Sequence, residues 1–488
     1  MYLCRIKNPE QLKHISPGEF GKIMGIDRIP EAKCLRKKMY NICTQKKADK
    51  WKMKLANQWA SNEENEFYYI DGHIQVYTGS MAKLGKKHVS RQKLCLPGMQ
   101  EFWVNNKEGM PYFFITGQVN EKLIEMLETH IIPKLLNEIP PKYTEQQLQN
   151  DPDLPRFTIV FDREAYSPSF FEKLWDKHRI AVITYRKNVK DQWAQNDFQA
   201  YSVEIDGNKT RMELEEKPVE LDEVPMREIR RKSDGHQTSV ITTNKKLSIT
   251  SVAIYMFSRW TQENFFRYLR QDYDLDKLMF YAVEQIDKDF EVVNPEYNNL
   301  NYKLKKIREK INRRMATLYK LKEENVKDNL DNAAKYLTKQ TKMQEELHLY
   351  QKQEYALLKK RAKISYKIKI EDMAESMRYN KLYTESKSFQ NIIKMICYRA
   401  ESSFATLLSS FYCKHANEKR TLVKSIIKTN ADIIPDYQNN KLTIKIYSQS
   451  SARMNKALGK ICRNLNETKT KYPGTNLVMN LTSATNFR

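Results

Sequence analysis

The chain has 488 residues, length for about three domains, and its 84 Lys and Arg against 60 Asp and Glu leave a net charge of +24. Like charges repel, so an excess of this size points to a polyanionic partner: DNA, RNA or an anionic membrane surface. The 40% hydrophobic and 11% aromatic content argues against a disordered basic tail. No apolar run approaches the ~18–20 residues that span a bilayer. The N-terminus, Met-Tyr-Leu-Cys-Arg-Ile-Lys, lacks the apolar core of a secretory signal. Seven scattered cysteines with no CxxC pair exclude a disulfide framework and a zinc ribbon. A reducing, cytosolic setting is predicted, with nucleic acid as the leading partner.

Residues 1–62 read as polar, Lys-rich helices with a turn near Ser16-Pro17-Gly18. From Phe67 to Tyr77 the residues are aromatic and β-branched, which predicts a strand. Further strand-like pieces follow at His88 to Leu96, Glu101 to Val104 and Tyr112 to Gly117. Asn120 is a candidate N-cap for a helix whose Leu123, Met126, Leu127, His130, Ile131 and Leu135 recur at helical spacing. Phe157 to Phe161 is a continuous apolar run, as in a strand covered on both faces. Ser167-Pro168 opens a helix to about His178, and Arg179 to Tyr185 is another buried-type strand.

The expected division is 63–185 as the first part of an α/β core, 186–246 as a β-rich insertion and 247–290 as the core's last helix. A long helical hairpin or coiled coil would fill 291–380, with a seam of Leu300, Leu304, Ile307, Ile311, Met315 and Leu318. A helical domain and polar tail would fill 381–488.

Several familiar signals fail. Gly79 to Lys87 mimics a phosphate loop, but its glycine spacing is one residue too long and no Ser or Thr follows Lys86. HExxH, GxSxG and GxGxxG are absent.

Three acids stand out by setting. Asp71 interrupts an apolar strand, where a carboxylate is costly unless it meets a cleft, a metal or a cation. Period-two alternation places it on one face with Tyr69, His73 and Gln75. Asp162 follows the buried run 157–161, at the strand edge where α/β sheets collect ligands. Glu263 lies in a helix. With Arg259 at zero on a helical wheel, Glu263 falls at about 40°, Arg267 at about 80° and Arg270 at about 20°. Phe257, Tyr268 and Phe265 fall on the other side, at about 160–240°. Each acid has a plainer reading: Asp71 as a turn or edge residue, Asp162 as a cap with Glu164 as a rival ligand, and Glu263 as an i,i+4 ion-pair partner. Together, two strand acids and one helix acid suit two divalent metals ~3.5–4 Å apart for phosphodiester chemistry. The adjacent arginines would hold phosphates.

These residues resemble those of DDE transposases of bacterial insertion sequences, in the RNase H-like group that includes retroviral integrases. The stretch Tyr69-Ile70-Asp71-Gly72-His73-Ile74-Gln75-Val76-Tyr77-Thr78-Gly79 resembles the family's first-Asp strand, and Phe161-Asp162-Arg163-Glu164 its second-Asp motif. Arg259, Glu263 and Arg270 match the signature Tyr-x2-Arg-x3-Glu-x6-Lys, with Met256 at the Tyr position and Arg270 at the Lys position. Gly18 to Pro30, followed by Leu35-Arg36, also resembles such transposases.

The resemblance implies an α/β fold: an RNase H-like mixed sheet flanked by helices, with a β-rich insertion and a long helical C-terminal region. It implies Asp71, Asp162 and Glu263 as catalytic metal ligands for two Mg²⁺ or Mn²⁺ ions, with strand cleavage and strand transfer as the activity. DNA partners would be terminal inverted repeats and target DNA, contacted by Arg259, Arg267, Arg270, His73 and Trp193. Trp193 is a candidate for stacking on an unpaired base, against the plainer reading of a packed or surface ring. A homodimer or higher assembly on DNA and a cytoplasmic, nucleoid-associated location in bacteria are expected. Because family members usually carry a DNA-binding domain upstream, an N-terminally shortened chain is expected too. The alternatives are a catalytically inactive, transposase-derived DNA-binding protein and a basic coiled-coil scaffold.

Overall fold

The structure, a computed structural model, describes the chain apart from residues 64–65, 80–83, 90–91, 118–120, 206–207, 258–259, 278–282, 285–290, 324–329, 376–377, 379–380, 410, 413–415 and 485–488. Asn120, the expected N-cap, and Arg259 lie outside the described residues. Two units form: one from residues 1–79, 86–282 and 383–488, the other from 80–85 and 283–382.

The first unit opens with helices α1 (Pro17–Ile23), α2 (Ala32–Cys43) and α3 (Ala48–Ala60). Strands β1 (Phe67–Val76), β2 (Lys86–Val89), β3 (Leu94–Asn105) and β4 (Pro111–Gly117) follow. The pieces expected at 88–96 and 101–104 are therefore divided differently: β3 runs unbroken through Pro97-Gly98. Gly98 permits this, because a Cβ there would lie 2.1 Å from the Gln75 carbonyl oxygen on β1.

Next come α4 (Leu123–Met126), a π-turn over Leu127–Ile131 and α5 (Ile132–Glu138), which together make one helical run. The π-turn ends one residue before Ile132-Pro133, whose proline lacks the N–H that the regular hydrogen-bond ladder needs. Helix α6 (Glu145–Asn150), β5 (Phe157–Phe161), α7 (Pro168–His178) and β6 (Ile180–Tyr185) complete this part. Strands β7 (Gln199–Ile205), β8 (Asn208–Leu221), β9 (Val224–Ser233) and β10 (His236–Thr242) fill the insertion, and α8 (Ile249–Phe257) and α9 (Trp260–Tyr273) return to the core.

One mixed sheet of order β2-β3-β1-β5-β6-β10-β9-β8-β7, with β4 on β3, carries all these strands. β1, β5 and β6 are parallel, and the insertion joins through the antiparallel β6–β10 pair. Helices cover both faces. Tyr68, Ile70, Phe102, Ile159 and Val182 pack under α4, α5 and α7. On the opposite face Tyr69, Val160 and Ile183 pack under Val252 and Met256 of α8, and Trp103 and Phe114 under Phe265 and Leu269 of α9. This is the mixed sheet flanked by helices that the sequence predicts, consistent with an RNase H-like fold.

The second unit holds the short strands β11 (Val283–Glu284) and β12 (Glu291–Val293), then α10 (Pro295–Glu323), α11 (Leu330–Ala362), β13 (Lys367–Lys369) and β14 (Lys381–Leu382). α10 and α11 form an antiparallel hairpin, with Arg308 paired to Glu354 at 2.5 Å and Arg314 to Glu346 at 2.7 Å. Of the expected seam, Leu300, Leu304 and Ile311 are buried, whereas Met315 is 53% exposed.

The chain then rejoins the first unit with α12 (Thr384–Ser409), α13 (Ala416–Lys428), β15 (Ala431–Asp436), β16 (Lys441–Ile446), α14 (Ala452–Glu467) and β17 (Val478–Ser483). The expectation of a purely helical region with a polar tail over 381–488 is corrected here: β15, β16 and β17 form a sheet. Its buried side packs Leu481 and Ile446 under α13 and α14. In the polar tail Met479 and Leu481, two residues apart, share one face of β17.

Candidate active site and nucleic-acid interface

β1 and β5 run parallel, in a register that pairs Tyr69 with Val160 and Ile70 with Phe161. The next position on each chain is an aspartate. Asp71, midway along β1, and Asp162, the first residue past β5, therefore fall side by side on neighbouring strands, whose backbones lie about 4.8 Å apart. Each carboxylate accepts the backbone N–H of the residue that follows it: Gly72 N donates to Asp71 Oδ1 at 2.9 Å, and Arg163 N to Asp162 Oδ1 at 2.7 Å. At Asp162 this contact sits where β5 ends and the chain turns, whereas β1 runs on past Asp71 to Val76. Both are half-buried, amid strands whose preceding residues are fully covered.

Alternation sets which helices lie over Asp71. Tyr69 is buried, and its hydroxyl donates to the Tyr255 carbonyl of α8 at 2.9 Å. His73, two residues beyond Asp71, is 6% exposed and stacks on Phe266 of α9, with ring centroids 5.0 Å apart and 12° between planes. α8 and α9 thus lie against β1 at Tyr69 and at His73, the neighbours of Asp71 on that face. Glu263 sits on α9 three residues before Phe266, about 4.5 Å back along the axis towards α8. Its side chain lies outside the described residues.

The helix face differs from the sequence expectation. Buried Phe265, Phe266, Leu269 and Tyr273 span about 240–340° on the wheel that has Arg259 at zero. Arg270 at about 20° therefore flanks the buried arc rather than opposing it. Phe266 decides this, because an aromatic at the edge of the acidic side is needed to cover His73. Arg270 is half-buried, with its Nε donating to the Phe266 carbonyl at 3.3 Å, while Arg267 is exposed and donates to Asn264 Oδ1 at 2.6 Å.

His73, expected to meet DNA, instead faces the protein, with Nε2 2.5 Å from Asp276 Oδ1. Trp193 is half-buried, with the Arg230 guanidinium 4.2 Å and the Lys217 ammonium 4.9 Å from its ring centre. Glu164 lies on the other side of β1 from Asp71: its carboxylate would be 3.7 Å from a Cβ on Gly72, and it pairs with Lys87 at 3.3 Å.

Beneath the acids lies a polar network that no motif announces. Glu101 on β3 is 0% exposed and accepts from Asn391 Nδ2 at 2.6 Å, Trp103 Nε1 at 3.2 Å and Gln75 Nε2 at 3.4 Å. From α12, Lys387 donates to the Leu275 carbonyl and Lys394 to the Asp274 carbonyl at 3.0 Å. Burial lowers the pKa of both ammoniums, Lys394 well below its usual value, and Glu101 partly opposes the shift. A lysine at helical spacing reads as a solvated face, so the signal was invisible. Beside this network, Arg267, Arg420 and Lys424 line a half-open cavity of about 420 Å³ together with Asp272.

Among the described residues no group of three or more His, Cys, Asp or Glu side chains is gathered to hold a metal. The adjacent Asp71 and Asp162 supply two hard oxygen donors, the ligand type that suits Mg²⁺ or Mn²⁺. No described helix is long and apolar enough to cross a membrane.

A family described as transposase protein matches residues 1–483. The chain belongs to this transposase family. No curated protein and no solved structure matches the chain. For a transposase, DNA is the partner that the +24 charge requires.

Proposed function

We propose that this transposase cleaves DNA strands at the ends of an insertion sequence and joins the 3′ ends to target DNA, in a reaction that depends on Mg²⁺ or Mn²⁺. One observation carries the reading: the β1–β5 register that sets Asp71 beside Asp162, where β5 ends. Asp71, Asp162 and Glu263 would hold two ions. Such ions lower the pKa of an attacking water or 3′-hydroxyl and stabilise the leaving oxygen.

The chain's own residues supply position and charge. The His73–Phe266 stack and the His73–Asp276 contact pin α9 to β1, which sets the distance between Glu263 and the aspartates. Arg267 and Arg270, with Arg259, hold the scissile strand by its phosphates. Trp193 on the insertion offers a ring to an unpaired base at the cleaved end. Because two element ends are joined in one event, two or more protomers act together on DNA.

The test is an Asp162→Asn protein supplied with Mg²⁺ and a duplex bearing the element's end. The expected result is loss of cleavage with duplex binding retained, since the carboxamide keeps the acceptor for Arg163 N but removes the charge. Cleavage at the wild-type rate would overturn the assignment.

A further inference from the structure

The last tenth of the chain concentrates the charge. Residues 437–488 hold nine Lys and Arg and a single acid, Glu467, a net +8 of the chain's +24. The structure gathers much of it on one helix. α14 buries Ala457, Leu458, Ile461 and Cys462 against α13 and the sheet. Its outer side carries Arg453, Lys456, Lys460 and Arg463, spaced by three, four and three residues. That spacing confines the four to an arc of about 80° and a stripe about 15 Å long, which Glu467 closes at the helix end. Arg453, Lys456 and Arg463 are exposed and Lys460 half-buried. The Arg453 guanidinium lies 4.9 Å from the Tyr412 ring centre and the Lys460 ammonium 5.4 Å from that of Phe411, contacts that steady the stems.

A basic helix face is often only a solvated one, but a second feature points outward. Gly459 occupies the middle of α14, where glycine is disfavoured relative to alanine. Nothing inside the protein requires it, since a Cβ built there meets no atom within 4 Å. A glycine on an open helix face allows close approach of something outside the chain.

We infer that α14 is a DNA-reading helix that enters the major groove of a B-form duplex, with its basic stripe along the phosphates and Gly459 at the point of closest approach. The major groove, about 12 Å wide, admits an α-helix. The inference rests on the transposase reading and deepens it: the surface that engages duplex DNA is the C-terminal α/β module, separate from the acids on β1 and β5.

The experiment is fluorescence anisotropy of a labelled duplex with the full chain, without divalent ions, across a salt series. Lys456→Ala combined with Arg463→Ala removes two phosphate contacts, so the slope of log K against log[salt] should shrink by about 1.8, with at least a tenfold loss of affinity at physiological salt. Gly459→Ala should raise the melting temperature and still weaken binding, which a merely structural role for the helix would not do. Unchanged affinity and slope in the double variant overturns the inference while leaving the cleavage reading intact. Wild-type protein that binds no duplex overturns both. Tighter binding of an RNA hairpin than of DNA also overturns the inference, because the A-form major groove does not admit a helix.

Discussion

Replacing Glu101 with Gln removes the one carboxylate that faces three amide or indole donors and two buried lysines. All three side-chain partners of Glu101, namely Asn391, Trp103 and Gln75, approach as N–H donors. A Gln amide offers them one oxygen and turns its own donors against the rest. Lys387 and Lys394 meanwhile lose one of the charges that oppose their desolvation, with Asp274 and Asp276 remaining. Breaking a buried ionic group by removing one partner costs about 3–5 kcal/mol, and that is the expected loss at pH 7 in denaturant unfolding of the first unit.

The pH dependence separates this cause from simple repacking. Both lysines have folded pKa values below their unfolded value, so between the two the unfolded chain binds more protons. Stability should therefore rise with pH through that window, up to about pH 10.4, by at most about 1.4 kcal/mol per pH unit for each lysine. Glu101→Gln lowers the folded values further, which widens the window: the variant should recover stability from a lower pH than the wild type. Adding Lys394→Met should restore part of the loss in a double-mutant cycle. A Glu101→Gln protein with wild-type stability at pH 7 and an unaltered pH slope would refute the reasoning.

Glu263→Gln should abolish strand cleavage with DNA binding kept, read in a gel assay of both. Chelation of divalent ions should stop cleavage, and Mg²⁺ or Mn²⁺ should restore it. Phe266→Ala removes a side chain buried against His73 and Trp103, so a loss of about 3–5 kcal/mol is expected in chemical unfolding. Gly72→Ala places a Cβ 2.9 Å from Gln100 Nε2 and should cost about 1–3 kcal/mol, read as a lower unfolding midpoint. Ile307→Lys with Ile311→Lys tests the seam of α10: loss of paired-end complexes with folding and single-end binding kept would assign the hairpin to assembly. Unfolding of the second unit would make the seam part of its fold.

Of the strands that position the aspartates, β1 was legible from its aromatic and β-branched residues and β5 because both of its faces are apolar. Phe157 to Phe161 and Ile180 to Tyr185 can only be strands covered twice, and Asp71 and Asp162 stand out against such neighbours. The register between β1 and β5, which makes the two acids adjacent, was not legible, since it depends on pairing across about 90 residues of chain. The direction of α9 was misjudged for a related reason. Angular position shows which residues share a face, but only the partner shows which face is buried, and His73 drew Phe266 inward. The strands β15 to β17 escaped notice because they are short and lie between helices of stronger periodicity.

α12 was hidden more deeply, and the physical reason bears on the site. Its buried side carries Lys387, Gln390, Asn391 and Lys394, which by composition belong to solvent. They are inside because Glu101 and the carbonyls of Asp274 and Leu275 are inside, and neither set is satisfied without the other. Those carbonyls belong to the turn that ends α9, and Asp276 of the same turn holds His73 beside Asp71. A helix more than 100 residues beyond α9 is thus the lock on the turn that holds α9 over β1. Burying two ammoniums there is expensive, which makes little sense as a source of stability alone. It makes sense as a means of fixing one arrangement of strand, helix and turn, with α9 held against β1.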